Sequence, residues 1–314
     1  MAGTEPSHAL GMHLYKGILL PNVVLDSSVE ALQTFEVRPD DIWLCTYPKS
    51  GTHWMGEIVG LILTRGVPEK MDRSLATSCA EMIDMKQKMP ATREEELKNP
   101  MDLTPFLDKI AAAPSPRLII THLPLRFLPP KLEERGRVIY VARNPKDVLN
   151  SLYSMMVKGN IDPNMPKDAG LTFLLSSFME DKAHFGPWRE HVREFWKIRG
   201  EKNAGFFFYE SMKKDPVGSV RDVANLLGVD LTAEELQKVV EHSSFKGMSK
   251  TYATGEASAT EGNKDFFEQI KTLPFLGKGY AGQWKDRFTV AQNEIFDKFY
   301  NEKMTAEDPT FEFE

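Results

Sequence analysis

The sequence has few cysteines and no long apolar run. Its two cysteines, Cys45 and Cys79, are too few for a disulfide scaffold, and no C-x-x-C pair offers zinc-site spacing. No apolar stretch approaches the roughly 20 residues of a membrane-spanning helix. The first residues lack a secretory-signal pattern, and Ala2 stands where N-myristoylation requires glycine. We therefore expect a soluble, cytoplasmic protein with no metal site and no membrane anchor.

An excess of basic residues is also absent. The chain has 39 Lys and Arg against 45 Asp and Glu, a net charge of −6, which argues against nucleic acid as the main partner. That balance leaves room for a local basic pocket that binds a small anion. Hydrophobic residues make up 41% of the 314 positions, enough to bury a sizeable core, and no repeat or low-complexity segment interrupts them. The composition favours one continuous folded domain.

Four compact apolar runs are separated by stretches whose apolar residues recur at helical spacing. The runs predict strands over residues 41–47, 118–121, 138–141 and 206–209. Helices are predicted over 52–65, from Pro145 onward, and over about 216–227 with Gly228 as the cap. Continuous apolar strands that alternate with helices are typical of an α/β fold with a central parallel β-sheet covered on both faces.

Polar or basic residues follow each predicted strand. Lys49, His122, Arg143 and Tyr209 stand at or just after the four strand ends, although any one of them alone could be an ordinary loop residue. Ligands of parallel sheets bind beyond the carboxyl ends of the strands. The sequence therefore predicts a binding site at this edge of the sheet.

The loop over residues 48–54 is the strongest single motif. A glycine and small hydroxyl residues at a helix N-terminus leave backbone N–H groups facing an anion, and Lys49 adds a positive charge. The lysine precedes the glycine, so the loop is not the G-x-x-x-x-G-K-[ST] pattern, and no obvious Mg²⁺ carboxylate follows. These features predict transfer of a group other than the γ-phosphoryl; the alternative is a plain helix cap with a solvated lysine.

Three weaker motifs accompany this loop. Arg143, with Ser151 two helical turns later, could grip a phosphate, or Arg143 could simply pair with Asp147. His122 could take a proton from an acceptor hydroxyl, or it could be a core histidine bonded to the backbone. The glycine-rich segment 277–282 could be a binding loop or lid, or a plain surface loop.

Taken together and in order, six segments resemble those of the cytosolic sulfotransferases. They are residues 46–54, 121–124, 140–147 with Ser151, 208–212, 242–248 and 278–285. The resemblance implies a single α/β domain with a P-loop-like fold over residues 36–304, an N-terminal segment 1–35 that packs on it, and a C-terminal tail 305–314. It also implies that 3′-phosphoadenosine 5′-phosphosulfate (PAPS) is the sulfuryl donor, that 3′-phosphoadenosine 5′-phosphate (PAP) is the product, and that no metal takes part.

The resemblance also implies roles for individual residues. His122 would be the base that deprotonates a hydroxyl or amine of a small acceptor, and Lys49 would stabilise the bridging oxygen. The implied cofactor-binding residues are Lys49, Ser50, Gly51, Thr52 and His53 at the 5′-phosphosulfate, Arg143 and Ser151 at the 3′-phosphate, Trp54, Phe245, Tyr209 and Ser243 around the adenine, and Lys278 and Gly279 in the last loop. Lys285, Thr289, Val290 and Glu294 match the family's short homodimer motif.

The chain departs from the family pattern at three positions. Gly277 replaces an arginine that helps to bind the 3′-phosphate, His53 replaces a common threonine, and Ile120 stands where many phenol-sulfating members have lysine. Long polar stretches over 158–170 and 254–265 fall where loops would gate acceptor entry. A phenol, a steroid and another alcohol therefore all stay open as acceptors. The two other functions considered are a nucleotide-binding module without turnover and a P-loop small-molecule kinase.

Overall fold

The computed structural model describes residues 12–21, 24, 26–71, 107, 110–158, 170–254 and 279–314. Gly277, Lys278 and Cys79, together with most of the two predicted gating stretches, lie outside the described residues. Near the N-terminus, strands β1 (Met12–Tyr15) and β2 (Ile18–Pro21) pair as an antiparallel hairpin.

A parallel sheet occupies the centre of the described fold. Its strands are β3 (Ile42–Thr46), β4 (Leu118–Thr121), β5 (Arg137–Ala142) and β6 (Ala204–Phe208), in the order β4-β3-β5-β6. All three pairings are parallel, and every residue of β3 and β4 is buried. The predicted α/β architecture is confirmed.

Helices of the described ranges flank this sheet. They are α1 (Asp26–Leu32), α2 (Thr52–Leu63), α3 (Leu132–Arg135), α4 (Pro145–Lys158), α5 (Gly170–Met179), α6 (Trp188–Lys197), α7 (Tyr209–Lys214), α8 (Pro216–Leu227), α9 (Ala233–Ser243), α10 (Phe245–Thr254) and α11 (Val290–Lys303). Short 3₁₀ turns cover Pro68–Lys70, Leu125–Phe127 and Gln283–Asp286. None of the helices in these ranges combines the length and the apolar character needed to cross a bilayer.

Helix boundaries follow local capping chemistry. Asp215 accepts a hydrogen bond from the Gly218 amide at 2.8 Å and caps α8, while Pro216 occupies the first turn, where its missing N–H costs nothing. Gly228 ends α8 with a left-handed φ of 68°, as predicted. The prediction was wrong at Tyr209: this residue begins α7 instead of ending a strand, because β6 pairs with β5 only from Ala204 to Phe208.

A buried ion pair connects β3 and β4 at the end of the sheet opposite the predicted site. Arg117 donates from Nε to an oxygen of Asp41 at 2.7 Å, and both side chains are almost fully buried. The two residues directly precede β4 and β3, whose first residues pair as Leu118 and Ile42. The ion pair therefore fixes the register of these strands and so the relative position of the loops at their far ends.

Residues 305–314 pack on the domain. The carboxylate of Asp308 binds the guanidinium of Arg193 on α6. Phe311 is buried, with its ring centroid 5.0 Å from that of Trp188 and 5.4 Å from that of Phe208. The carbonyl of Phe313 accepts a hydrogen bond at 2.8 Å from the indole of Trp284, which ties this segment to the loop that precedes α11.

Candidate active site

The candidate site lies where the chain reverses its direction across the sheet. After β3 the chain leads to β4 on one side, whereas after β5 it leads to β6 on the other. Such a switch point between neighbouring strands opens a crevice at their carboxyl ends. The loops that follow β3 and β5 flank this crevice, and Arg143 donates a hydrogen bond to the carbonyl of Lys49 at 3.3 Å. The structure thus brings together the two basic residues that the sequence placed on separate motifs.

The loop after β3 turns sharply into α2. Lys49 has a φ of 69° and Gly51 a φ of 113°, and left-handed backbone is rare for a residue with a side chain such as lysine. Gly51 must be a glycine, because a Cβ there would lie 2.8 Å from the Tyr209 ring. The turn directs the loop to the N-terminus of α2, and the first backbone amides of a helix attract an anion.

Lys49 and Arg143, the two cations of the site, are partly desolvated, and hydrogen-bond donors remain unsatisfied beside them. Burial, and then the charge of Arg143, lower the pKa of Lys49 to about 8. Arg143 is buried, stacks on the Tyr209 ring at 4.3 Å and lies 3.4 Å from an oxygen of Asp147. Among the residues that the structure describes, Arg143 Nε and Ser50 Oγ are buried without a hydrogen-bond partner. Unsatisfied buried donors are costly, so these two fit a site for an anionic ligand.

His122 is held as a neutral base. Its Nδ1 lies 2.8 Å from the carbonyl of Thr46, and because a carbonyl only accepts, Nδ1 carries the proton. Nε2 is then the basic nitrogen. Burial is the main reason that the pKa of His122 falls to about 4; the hydrogen bond to Thr46 raises it, and the charge of Lys49 lowers it further. The Thr46 hydroxyl lies 2.7 Å from that of Thr52, which links His122 to the start of α2.

His53 shares this environment. Its pKa falls to about 4, first because of burial and then because of Lys49 and His122. Its imidazole is therefore neutral at physiological pH, and it brings no charge to the loop in which it replaces a threonine.

A third histidine, His191, which the sequence did not single out, supports His122. His191 on α6 is buried and donates from Nε2 to the backbone carbonyl of His122 at 2.9 Å, while its Nδ1 accepts from the Tyr140 hydroxyl at 2.8 Å. Burial lowers the pKa of His191 to about 3, which keeps it neutral. The only hint in the sequence is that His191 shares the buried face of an amphipathic helix with Trp188, Val192 and Phe195.

An apolar wall stands beside His122. The ring of Phe185 lies 5.5 Å from the imidazole, and its backbone has a φ of 61°, an outlier for a bulky residue. The Phe185 amide donates to the carbonyl of Leu19 at 2.8 Å, so the N-terminal hairpin holds this strained segment in place. Sequence patterns could not reveal this wall, because it combines segments far apart in the chain.

Aromatic rings continue the site away from His122. Trp54 lies 5.3 Å from Tyr209, edge to face. Phe245 is 43% exposed, and Gly279, with a φ of 77°, approaches it so closely that a Cβ would lie 2.8 Å from the ring. Ser243 is buried at the end of α9, with its hydroxyl 3.4 Å from the carbonyl of Val240.

Asp147 joins the last loop to the site. Its carboxylate accepts hydrogen bonds from the backbone amides of Gly282 at 2.8 Å and Trp284 at 2.9 Å, in addition to its contact with Arg143. The pairing of Arg143 with Asp147, the plain alternative for that motif, is therefore present, and Asp147 also anchors the segment that contains Gly282 and Trp284. Ser151, on α4, is partly buried, and its role toward a phosphate stays a prediction.

The geometry is that of an α/β protein whose site suits an anionic ligand. At the switch point of its parallel sheet lie a loop with the features of an anion site, two cations, exposed aromatic surface and a neutral imidazole. Within the described ranges, no group of three or more His, Cys, Asp or Glu side chains is placed to hold a metal ion.

Comparison with known proteins assigns the family. The sequence model described as "Sulfotransferase domain" matches residues 39–307. Sulfotransferase 1A1 of Mus musculus is 36% identical over 299 residues, covering 94% of this chain and 95% of that protein. Sulfotransferase 1C2 of Oryctolagus cuniculus is 34% identical over 302 residues, covering 96% and 95%. The chain therefore belongs to the sulfotransferase family, as its motifs predicted.

Solved structures agree with this assignment. Mouse sulfotransferase SULT7A1, complexed with PAP, has a TM-score of 0.69 at 27% identity and covers 94% of each chain. Retinol dehydratase, solved with androsterone and the inactive cofactor PAP, has a TM-score of 0.75 at 24% identity and covers 96% of this chain and 92% of its own. At 24% identity, the match to retinol dehydratase shows a shared fold and nothing more.

Proposed function

We propose that this protein transfers the sulfuryl group of PAPS to a hydroxyl or amine of a small acceptor. The observation that carries the proposal is the placement of a basic Nε2 on His122 beside the anion-binding loop that holds Lys49, linked through Thr46 and Thr52. Family membership and the PAP complex of SULT7A1 support PAPS as the donor.

The residues present fit a doubly phosphorylated adenine nucleotide. PAPS would supply an activated sulfuryl group next to its 5′-phosphate. The unpartnered donors of Ser50 and Arg143 suit anionic groups on the two sides of the switch point. In the proposed arrangement the 5′ end binds Lys49, Ser50, Gly51, Thr52 and His53, the 3′-phosphate binds Arg143 and Ser151, and the adenine binds Trp54, Phe245, Tyr209 and Ser243, with Lys278 and Gly279 in the last loop.

His122 would act as the general base. Its Nδ1 proton is engaged with the Thr46 carbonyl, so Nε2 can accept the proton of an acceptor hydroxyl or amine. His191 holds the backbone of His122 and so orients the ring, while Phe185 offers an apolar wall to the acceptor. Lys49 would stabilise the negative charge that develops on the oxygen that leaves sulfur, and its half-buried position strengthens that interaction.

A paired assay tests this function. PAP should raise the melting temperature of the protein much more than ATP at equal concentration, because ligand binding stabilises the folded state. A radiolabelled sulfuryl group should pass from PAPS to at least one member of a panel of phenols, steroids and amines, and His122→Ala should lower the rate of this transfer by at least about 10²-fold. Binding of PAP without transfer to any acceptor would support a module without turnover, whereas phosphorylation by ATP would indicate a kinase.

We also propose that the protein forms a homodimer through the segment that contains Lys285, Thr289, Val290 and Glu294. Thr289 caps α11, and Val290, its first residue, is 76% exposed. An exposed valine at the start of a helix is available for contact with a second copy. The cytoplasmic location and the domain limits at residues 36 and 304 stay predictions.

A further inference from the structure

A third cation, Lys213, lies next to the aromatic part of the site. Lys213 stands on α7, the short helix that follows β6, and it is half-buried. Its Nζ lies 3.9 Å from the centroid of the Trp54 indole and 5.5 Å from that of the Tyr209 ring. The neighbouring Lys214 is exposed and pairs with Glu312 at the surface instead.

Lys213 and Arg143 lie on one continuous cluster of rings. Arg143 stacks on Tyr209 at 4.3 Å, Tyr209 meets Trp54 at 5.3 Å, and Lys213 covers Trp54. A cation over an aromatic face is attracted by the ring quadrupole, and the attraction grows when the pair is desolvated. The ammonium group therefore restrains the orientation of the indole.

In the protein without a ligand, keeping Lys213 positively charged costs free energy. Burial, and then the charge of Arg143, lower its pKa to about 8. In the described part of the chain no carboxylate forms an ion pair with Lys213, whereas Lys214 and Lys146 both have one. Two partly desolvated cations on adjacent rings are best balanced by an anionic ligand that also has a flat ring, such as a phosphorylated purine.

We propose that Lys213 is a further residue of the nucleotide site. It acts as a positioning residue: it holds the Trp54 indole for stacking with the base, and its charge favours phosphorylated nucleotides. This inference rests on the proposed function, because it takes the nucleotide to be PAP or PAPS. Lys213 contacts Trp54 and Tyr209, the two residues proposed to lie at the adenine, so it should affect cofactor binding and leave the chemical step unchanged.

Four variants test this role by titration calorimetry with PAP. Lys213→Met keeps the aliphatic stem but removes the charge, and it should weaken PAP binding by about five- to tenfold, the range that one cation–π contact supports. Lys213→Arg keeps the positive charge, now on a planar guanidinium that can also stack on the indole, and should stay within about twofold of the wild type. Lys214→Met is the matched control and should leave PAP affinity unchanged. Lys213→Gln repeats the loss of charge with a polar side chain, should Lys213→Met unfold.

Steady-state kinetics supply a readout that general damage to the fold would not reproduce. For Lys213→Met, KM for PAPS should rise while kcat stays the same, and the melting temperature without ligand should match that of Lys214→Met. Unchanged PAP affinity in both Lys213→Met and Lys213→Gln would overturn the inference. A loss of PAP affinity in Lys213→Arg or in Lys214→Met as large as the loss in Lys213→Met would also overturn it. If the wild type itself failed to bind PAP, the proposed function would be wrong instead.

Discussion

The pH dependence of kcat/KM for PAPS should separate the roles of His122 and Lys49. His122 must be neutral to accept a proton, and its pKa of about 4 means that only about one molecule in 10³ has it protonated at pH 7. Because the protonated form is the inactive one, the rate should rise as the pH passes through about 4 and then level off. Without burial and Lys49, this limb would lie near pH 6.5, the ordinary value for histidine.

The alkaline limb should belong to Lys49. Its pKa of about 8 leaves the ammonium form dominant at pH 7, and that form is the one which stabilises negative charge. Above pH 8 the rate should fall about tenfold for each unit, because the charged fraction falls at that rate. The expected profile is a plateau between about pH 4 and pH 8, because kcat/KM for PAPS reports the essential groups of the enzyme before PAPS binds.

One substitution separates the two limbs. Lys49→Met should lower the plateau by on the order of 10²- to 10³-fold and move the acid limb upward, because the charge that depresses the pKa of His122 is gone. It should also replace the tenfold-per-unit alkaline fall by a single step of about five- to tenfold, which belongs to Lys213, whose pKa is also about 8. His53→Thr is the control and should keep both limbs, although His53 also titrates near pH 4. A wild-type acid limb near pH 6.5, or an unchanged alkaline limb in Lys49→Met, would refute this reasoning.

Three further results are expected. His122→Ala should lower kcat/KM for the acceptor by at least about 10²-fold with near-normal PAP affinity; unchanged turnover on every acceptor would remove its role as base. Asp147→Asn should cost about 2–3 kcal/mol in urea unfolding, because one of the Gly282 and Trp284 amides would then face an NH₂ group and Arg143 would lose its partner; wild-type stability would contradict this anchor. Val290→Glu should give monomers in sedimentation velocity where the wild type gives dimers, and an unchanged dimer would place the interface elsewhere.

Local chemistry in the sequence determined the sheet and the edge at which the site lies. Strands buried on both faces read as continuous apolar runs, and the run at 118–121 was located to the residue. Pro145 and Pro216 indicate helix starts because the fixed φ of proline suits the first turn of a helix. Gly228 indicates a helix end because glycine readily adopts the left-handed backbone that a C-cap requires. The first loop was found because a lysine, a glycine and hydroxyl residues at a helix start have few other uses.

Tertiary structure alone decided which side chains support that site. His191 contacts the His122 carbonyl across 69 residues of sequence, and Asp147 accepts from Gly282 across 135. Lys213 is one of two adjacent lysines, and only the packing of α7 against α2 places it over Trp54 and leaves Lys214 at the surface. Such contacts depend on how helices and strands pack together, and the local sequence does not encode them in any recognisable pattern. The sequence therefore determined the chemistry that could occur, and the fold decided which groups are desolvated, paired and aimed to carry it out.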